Sequence, residues 1–307
     1  MKSTWSWILI ATGGWASGNI TSKLALDGGI DPISLTLVRF GIAAVGIVAI
    51  LSAVGQLGRH HDWLRGSAIG VLNMALPPIF FTIALVTLDA SLAGLLIALI
   101  PASAIAAAHF IVPGERFRAW RVPGLVVAFF GIAILIGGVE RIESDALWGA
   151  VGWSMMGVVA AGTGGAVSRR FAIHTPTRRM VVPQFTAAAI TLVILAIPTG
   201  AWFALDGLPA DVWGWAIVTG LFGTIVPFYS FLQVVERAET AKAALIGYLV
   251  PVASAVSAVI FLGDPVTASL VIGGSVIIVG VVLADRGEVV SNGIRTRKLA
   301  KLPATPR

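Results

Sequence analysis

The chain contains no cysteine, which excludes disulfides and thiolate metal sites from its design. Charge is scarce as well. Only 12% of its 307 residues are Asp, Glu, Lys or Arg, against about a quarter in a soluble domain, so half the usual solvating surface is missing. The long apolar stretches carry no acid near their middles, and carboxylates are the usual proton relays at membrane depth. No HExxH, no paired aspartates and no Ser–His arrangement on an exposed elbow occurs, so the signatures of an intramembrane enzyme are absent. No cofactor motif is present either.

What is abundant is apolar. Hydrophobic residues make up 57% of the chain, with 35 glycines and 10 tryptophans, the composition of an integral membrane protein. Crossing the hydrocarbon takes about 20 apolar residues at about 1.5 Å each. Stretches free of Asp, Glu, Lys and Arg fall at 3–22, 40–58, 66–88, 90–114, 122–139, 146–168, 180–205, 212–235, 243–263 and 265–284, which predicts ten spans. The first begins like a signal peptide but runs on without a convincing cleavage site, and reads as a retained helix. Trp5, Trp7, Trp63, Trp120, Trp148, Trp202 and Trp213 fall near span ends, as interfacial anchors do. The basic tail 286–307 reads as disordered.

The net charge of +6 does not mark a nucleic-acid surface, because the basic residues are dispersed over the loops of one side. With the N-terminus in the cytoplasm, every basic residue except Lys23, Arg39 and Arg141 lies in a cytoplasmic segment, while most acids, Asp27, Asp31, Asp206 and Asp211 among them, lie outside. Basic residues stay inside during insertion, so the expected topology is N-in, C-in in a bacterial inner membrane.

One phrase occurs twice. "LIPASAIAAAHFIVPGE" (99–115) returns as "LVPVASAVSAVIFLGD" (249–264), with Pro101 on Pro251. Pro78 falls on Pro227, and with a one-residue gap Gly124, Val127 and Gly131 fall on Gly273, Val276 and Gly280. Ser22–Lys23 meets Ser168–Arg169, and Arg39–Phe40 meets Gln184–Phe185. Each half holds five spans, an odd number, so the second half enters the membrane upside down relative to the first. The expected fold is all-α: ten transmembrane helices as two five-helix inverted repeats, 1–141 and 142–285, around a central cavity, followed by the tail 286–307. Inverted repeats are a recurrent plan of secondary transporters, whose substrate sites lie near the midplane.

Ten spans, "WASGNITSK" in the first, "LVRF" in the second and the paired "P…GE" and "P…GD" endings resemble the drug/metabolite transporter superfamily, of the EamA type. The likeness runs from about Trp5 to Asp285. Within that superfamily the chain looks like bacterial exporters of amino acids, aromatic ones in particular. The resemblance implies alternating-access transport of a small molecule. It departs from symmetry at Gln184, which stands where the first half has Arg39.

Candidate site residues follow from what membrane depth penalises. Thr12, Trp15, Asn19 and Lys23 recur at helical spacing as one polar and aromatic stripe, and Gly14 and Gly18 form a GxxxG pair suited to close packing. Asn19 needs a neighbouring helix or cavity water. Phe80, Phe81, Trp153, Gln184, Phe185, Tyr229 and Tyr248 are the other aromatic or polar residues deep in spans. Such aromatics serve lipid or core more often than ligand, and Trp153, Tyr229 and Tyr248 stand out because their N–H and O–H groups need partners. Pro101 and Pro251 free the carbonyls of Ile97 and Gly247 and kink their helices; with Pro78 and Pro227 they are candidate gating points or packing kinks. Lys23, Arg39 and His109 are the candidates for a charge role: Arg39 snorkels or holds a carboxylate, His109 titrates or donates between helices. Asp264–Pro265 reads as an N-cap followed by Pro at N1 of the last span.

An interior with so few fixed cations is unsuited to strong anions. It suits an amphipathic zwitterion such as an aromatic or other neutral amino acid, with hydrophobic cations as the competing cargo and a non-transporting receptor or scaffold as the competing class. Without mid-membrane acids, facilitated efflux is expected. The expected partners are the amino-acid substrate and the lipid bilayer, with no nucleic acid and a monomeric assembly.

Overall fold

The computed structural model describes residues 4–57, 60–115, 121–137, 144–237 and 240–299. Lys2, Arg59, Arg116, Arg118, Arg141, Lys301 and Arg307, which enter the charge argument, lie outside them. Among the described residues there is no strand. There are ten long helices: α1 (Thr4–Asp27), α2 (Pro32–Ala53), α3 (Trp63–Thr87), α4 (Ala90–Ile111), α5 (Val122–Gly137), α6 (Ser144–Ala172), α7 (Arg178–Thr199), α8 (Ala210–Val235), α9 (Thr240–Leu262) and α10 (Ala268–Leu299).

Seven of these, α2, α3, α4, α6, α7, α8 and α9, are long and apolar enough to cross a bilayer, and α5 and residues 268–284 of α10 are shorter apolar stretches. In α1 the polar stripe and its glycines lower the mean hydropathy. Chemistry at the ends sets the boundaries. Asp31 caps α2, its carboxylate accepting from the amides of Ile33 and Ser34, with Pro32 as the first helical residue. Asp62 caps α3 through the amide of Arg65. Gly200 ends α7 at φ +73°.

The second helix begins at Pro32, which sets Arg39 inside it, as the placing of "LVRF" within the second span implies; the charge-free window alone starts at 40. Two expectations are corrected. Asp264 does not cap the last helix. Residues 263–267 are irregular, and Thr267 caps α10 by accepting from the amide of Leu270. Nor is the start of the tail irregular: α10 runs on to Leu299, since an established helix extends at one hydrogen bond per added residue.

The inversion is visible in which helices touch. Gly124 and Gly131 of α5 lie against the backbone of Gly280 and Gly273 of α10, their aligned mates, in antiparallel order. A Cβ on Gly280 would stand 2.3 Å from the amide nitrogen of Ala128, so this seam admits no side chain. Helices α2 and α7 also meet as antiparallel mates: Phe40 stacks on Phe185 at 6.4 Å, and Ser34 Oγ donates to the carbonyl of Ala201 beyond the end of α7. Antiparallel contact between equivalent helices places a pseudo-two-fold axis across the helix direction. The mates α3 and α8 carry the same distortion, a π-turn at Gly70–Ala75 and at Leu221–Ile225, each just before its proline. In each, one amide reaches back five residues, Leu76 to Val71 and Val226 to Leu221. The repeated phrases end alike too, with Gly114 at φ +84° and Gly263 at φ +73° directly before Glu115 and Asp264.

The bundle has a basic end, with Arg65, Arg169, Arg170 and Arg179, and an acidic end, with Asp27, Asp31, Asp211 and Asp264. At the acidic end α1, α3, α4, α6, α9 and α10 share one apolar core that includes Ile20, Leu85, Leu88, Leu92, Leu147, Val151 and Ala258. Helix α9 packs along residues 90–99 of α4, and among the described residues its association with 100–111 is weaker. Pro101 of α4, whose ring lies 3.7 Å from where a Cβ of Gly247 would stand, marks the change.

Candidate functional site

The centre of the molecule is where α1 crosses α8. A Cβ on Gly18 would stand 2.8 Å from the Cα of Gly223, and one on Gly14 would meet Pro227 at 2.9 Å, so the GxxxG pair finds its close neighbour there. Pro227 has no N–H to give the carbonyl of Gly223, four residues back. Arg39 of α2 supplies a donor: its Nη2 bonds to that carbonyl at 3.1 Å, and its Nε bonds to Thr224 Oγ1. The guanidinium also lies 5.5 Å from the centroid of the Phe40 ring. Thr224 is bonded in turn to the carbonyl of Thr219, and Thr219 Oγ1 to Thr21 Oγ1 of α1 at 2.6 Å. Among the described residues no carboxylate pairs with Arg39.

The stripe on α1 divides among its neighbours. Trp15 packs on Phe231 of α8 at 5.7 Å. Asn19 donates from Nδ2 to the carbonyl of Ala90 at the start of α4 (2.9 Å) and lies beside Gly94. Lys23 is bonded to the carbonyl of Leu85 at 3.2 Å and paired with Asp27 at 3.1 Å. Ser254 of α9 meets the same face of Gly94, with its Oγ buried and without a partner among the described residues. Thr12 Oγ1 is in the same situation.

The other candidates are dispersed. Phe80 and Trp153 stack at 5.7 Å between α3 and α6, and Phe81 lies against Gly157. Phe185 is fully buried between Phe40 and Phe228 (4.7 Å), and buried Gln184 packs its backbone on Gly70. Tyr229 meets the edge of Trp7 at 6.0 Å, and Tyr248 packs half-buried beside the acidic-end core. Pro78 and Pro227 follow the two π-turns, Pro101 follows a 3₁₀ turn at Ile97–Leu99, and Pro251 is buried within α9. His109 lies exposed on α4 beside Phe110. Among the described residues no group of His, Cys, Asp and Glu could hold a metal ion.

Sequence reasoning missed Gly223, Thr224, Thr219, Ser254 and the neighbour of Trp7. One signal was readable: the proline rule that frees the carbonyls of Ile97 and Gly247, applied to Pro227, marks Gly223 as an acceptor in need of a donor.

Two carboxylates at helix ends complete the geometry. The carboxylate of Asp264 accepts from the amide of Ser91 at 2.8 Å, joining the end of α9 to the start of α4, where Asp89 makes no side-chain cap of its own. At the basic end the equivalent Glu115 pairs instead with Arg169 of α6 at 3.4 Å, and Arg169 also donates to the carbonyl of Ala104.

A helical membrane protein of two mutually inverted five-helix runs, meeting at paired π-turns and proline kinks, is the framework of a carrier. The chain belongs to the EamA-like transporter family, whose model matches twice, at residues 2–137 and 148–284. It is a membrane transporter, and its family and relatives are transporters rather than enzymes. It is 28% identical over 303 residues to a probable terminal-alkyne amino-acid exporter of Streptantibioticus cattleyicolor, covering 93% of this chain and 94% of that one. An uncharacterized transporter of Archaeoglobus fulgidus is 22% identical over 265 residues, covering 84% and 90%. The uncharacterized transporter YvbV of Bacillus subtilis is 27% identical over 252 residues, covering 78% and 77%. A solved crystal structure shares the fold with a TM-score of 0.62 at 22% identity, covering 92% of this chain and 98% of that one.

Proposed function

We propose that the chain exports aromatic and other neutral amino acids by alternating access. The observation that carries this reading is Arg39, a cation within a membrane span that has two neutral acceptors and, among the described residues, no acid. A charge at that depth is costly until it is neutralised. Two acceptors leave N–H groups of the fork to spare, and a carboxylate meets such a fork with two parallel bonds. One buried cation calls for one carboxylate, which favours a monocarboxylic zwitterion over a dianion. Trp15 and Asn19 of α1, the helix that crosses α8 beside the acceptors of Arg39, would give its side chain an aromatic face and a hydrogen-bonding group, while the dispersed candidates serve the packing between helices. The relative named as a probable amino-acid exporter agrees with this class of cargo.

Prolines 78, 101, 227 and 251 act as hinges in this scheme. In this scheme the looser association of α4 and α9 beyond Pro101 marks the basic end as the open one, the end that the positive-inside rule assigns to the cytoplasm, with both termini there in a bacterial inner membrane. Lys23, salt-bridged to Asp27, serves the acidic end rather than the cargo. Without acids in the middle of the spans, efflux runs down the substrate gradient.

The test is counterflow in proteoliposomes preloaded with phenylalanine, tryptophan, threonine or glutamate, with phenethylamine as the decarboxylated control. Phenylalanine and tryptophan are expected to accumulate and phenethylamine to fail, and Arg39→Ala should abolish the difference. Equal transport of phenethylamine, unaffected by Arg39→Ala, would establish the hydrophobic-cation reading instead. Binding without accumulation would mark a receptor.

A further inference from the structure

We infer that Asp264 and Glu115 are alternating helix caps, positioning residues that latch opposite ends of the pathway in turn. The inference rests on the alternating-access reading and says nothing of the cargo. Its ground is a broken symmetry. The two acids are equivalent in the repeats, each directly after a glycine with positive φ, yet they do different things. Asp264, of the second half, caps the first turn of α4, of the first half, through the amide of Ser91. Glu115, of the first half, is paired with Arg169 of α6. The equivalent of Ser91 is Ala241, in the first turn of α9, and the equivalent of Arg169 is Lys23.

Exchange the two halves and both bonds acquire counterparts. Glu115 caps the start of α9 at Ala241, and Asp264, released from Ser91, pairs with Lys23. Lys23 is well placed for this. It already lies at the acidic end, bonded to the carbonyl of Leu85 on the same α3–α4 hairpin that Asp264 caps. The present contacts fit one member of the pair. Where the cap is made, α4 and α9 are packed; at the other end, among the described residues, they associate less closely. A carboxylate suits both of its positions, since it accepts from the amides of a helix start and from an ammonium or guanidinium. Each acid therefore exchanges one strong partner for another, so neither state leaves a carboxylate stranded.

The absence of native cysteine makes the test direct. Spin labels on cysteines introduced at Val86 and Val266, both exposed at the acidic end, report the distance across the α3–α4 and α9–α10 turns in lipid nanodiscs. Asp264→Asn keeps an acceptor for the amide of Ser91 but cannot form the ion pair with Lys23 that the other state offers, and should lower the ratio of the long to the short distance several-fold. Glu115→Gln keeps an acceptor for the start of α9 but loses its present pair with Arg169, and should raise that ratio from its parent value. Opposed shifts are the discriminating readout, because a merely structural acid would move the two variants the same way or not at all. Either of those results overturns the inference. Should Asp264→Asn fail to fold, the sign of the Glu115→Gln shift decides alone. No cargo enters the experiment, so a failed amino-acid assay and a failed latch are separately visible.

Discussion

The π-turns of α3 and α8 are one structural device used twice, but only one of them is pinned. In α8, Arg39 binds the carbonyl freed by Pro227 and the hydroxyl of Thr224. In α3 the equivalent of Arg39 is Gln184, neutral and buried against Gly70. Duplication supplies equal frameworks, and a single charge then makes one of them chemically distinct. A carrier needs symmetry to exchange its states and asymmetry to bind a cargo that is itself asymmetric. Here the first is held in backbone geometry, and in the proposed function the second rests on one side chain.

Four substitutions sharpen or break this comparison. Arg39→Met should lower phenylalanine counterflow about a hundredfold, matching the roughly 3 kcal/mol of a lost charge-assisted bond. Residual transport within a few-fold of the parent would make the guanidinium a structural pin only. Gly223→Ala places a Cβ 2.5 Å from the Cα of Gly18, and thermal melts in detergent should show a loss of roughly 1–3 kcal/mol. Thr219→Val cuts the hydroxyl link from α8 to Thr21, and the same melts should register about 1 kcal/mol. Gln184→Met keeps the volume at the unpinned turn and should change counterflow by less than about twofold. A large effect there would mean that both turns serve the cargo.

Much of the architecture was legible because the bilayer imposes long charge-free runs and because a repeat can be aligned with itself. The glycines matched by alignment, Gly124 with Gly273 and Gly131 with Gly280, turned out to lie in one seam. The losses came where a charge does something unusual. A charge-free window starts only after Arg39, whereas the span that holds this arginine starts at Asp31 and Pro32, which carry the signs of a helix start. The same local logic misled at Asp264, since a cap followed by proline is a sound sign for the helix that follows, whereas the amide it serves lies 173 residues earlier in the chain. Nothing along the sequence announces that partnership. For Arg39 the clue was present but split between helices, a proline on α8 and a cation on α2. Side-chain neighbours such as Phe231 for Trp15 depend on how the helices rotate, which periodicity leaves open.

The glycine seam between α5 and α10 has a consequence for origins. Gly124 meets Gly280, the counterpart of Gly131, and Gly131 meets Gly273, the counterpart of Gly124, so the contact is self-complementary. A five-helix polypeptide bearing that face would carry both sides of it and could associate with an upside-down copy of itself before any gene fusion. Joining two such copies adds a tether to surfaces that already match, and each is then free to drift toward its own task.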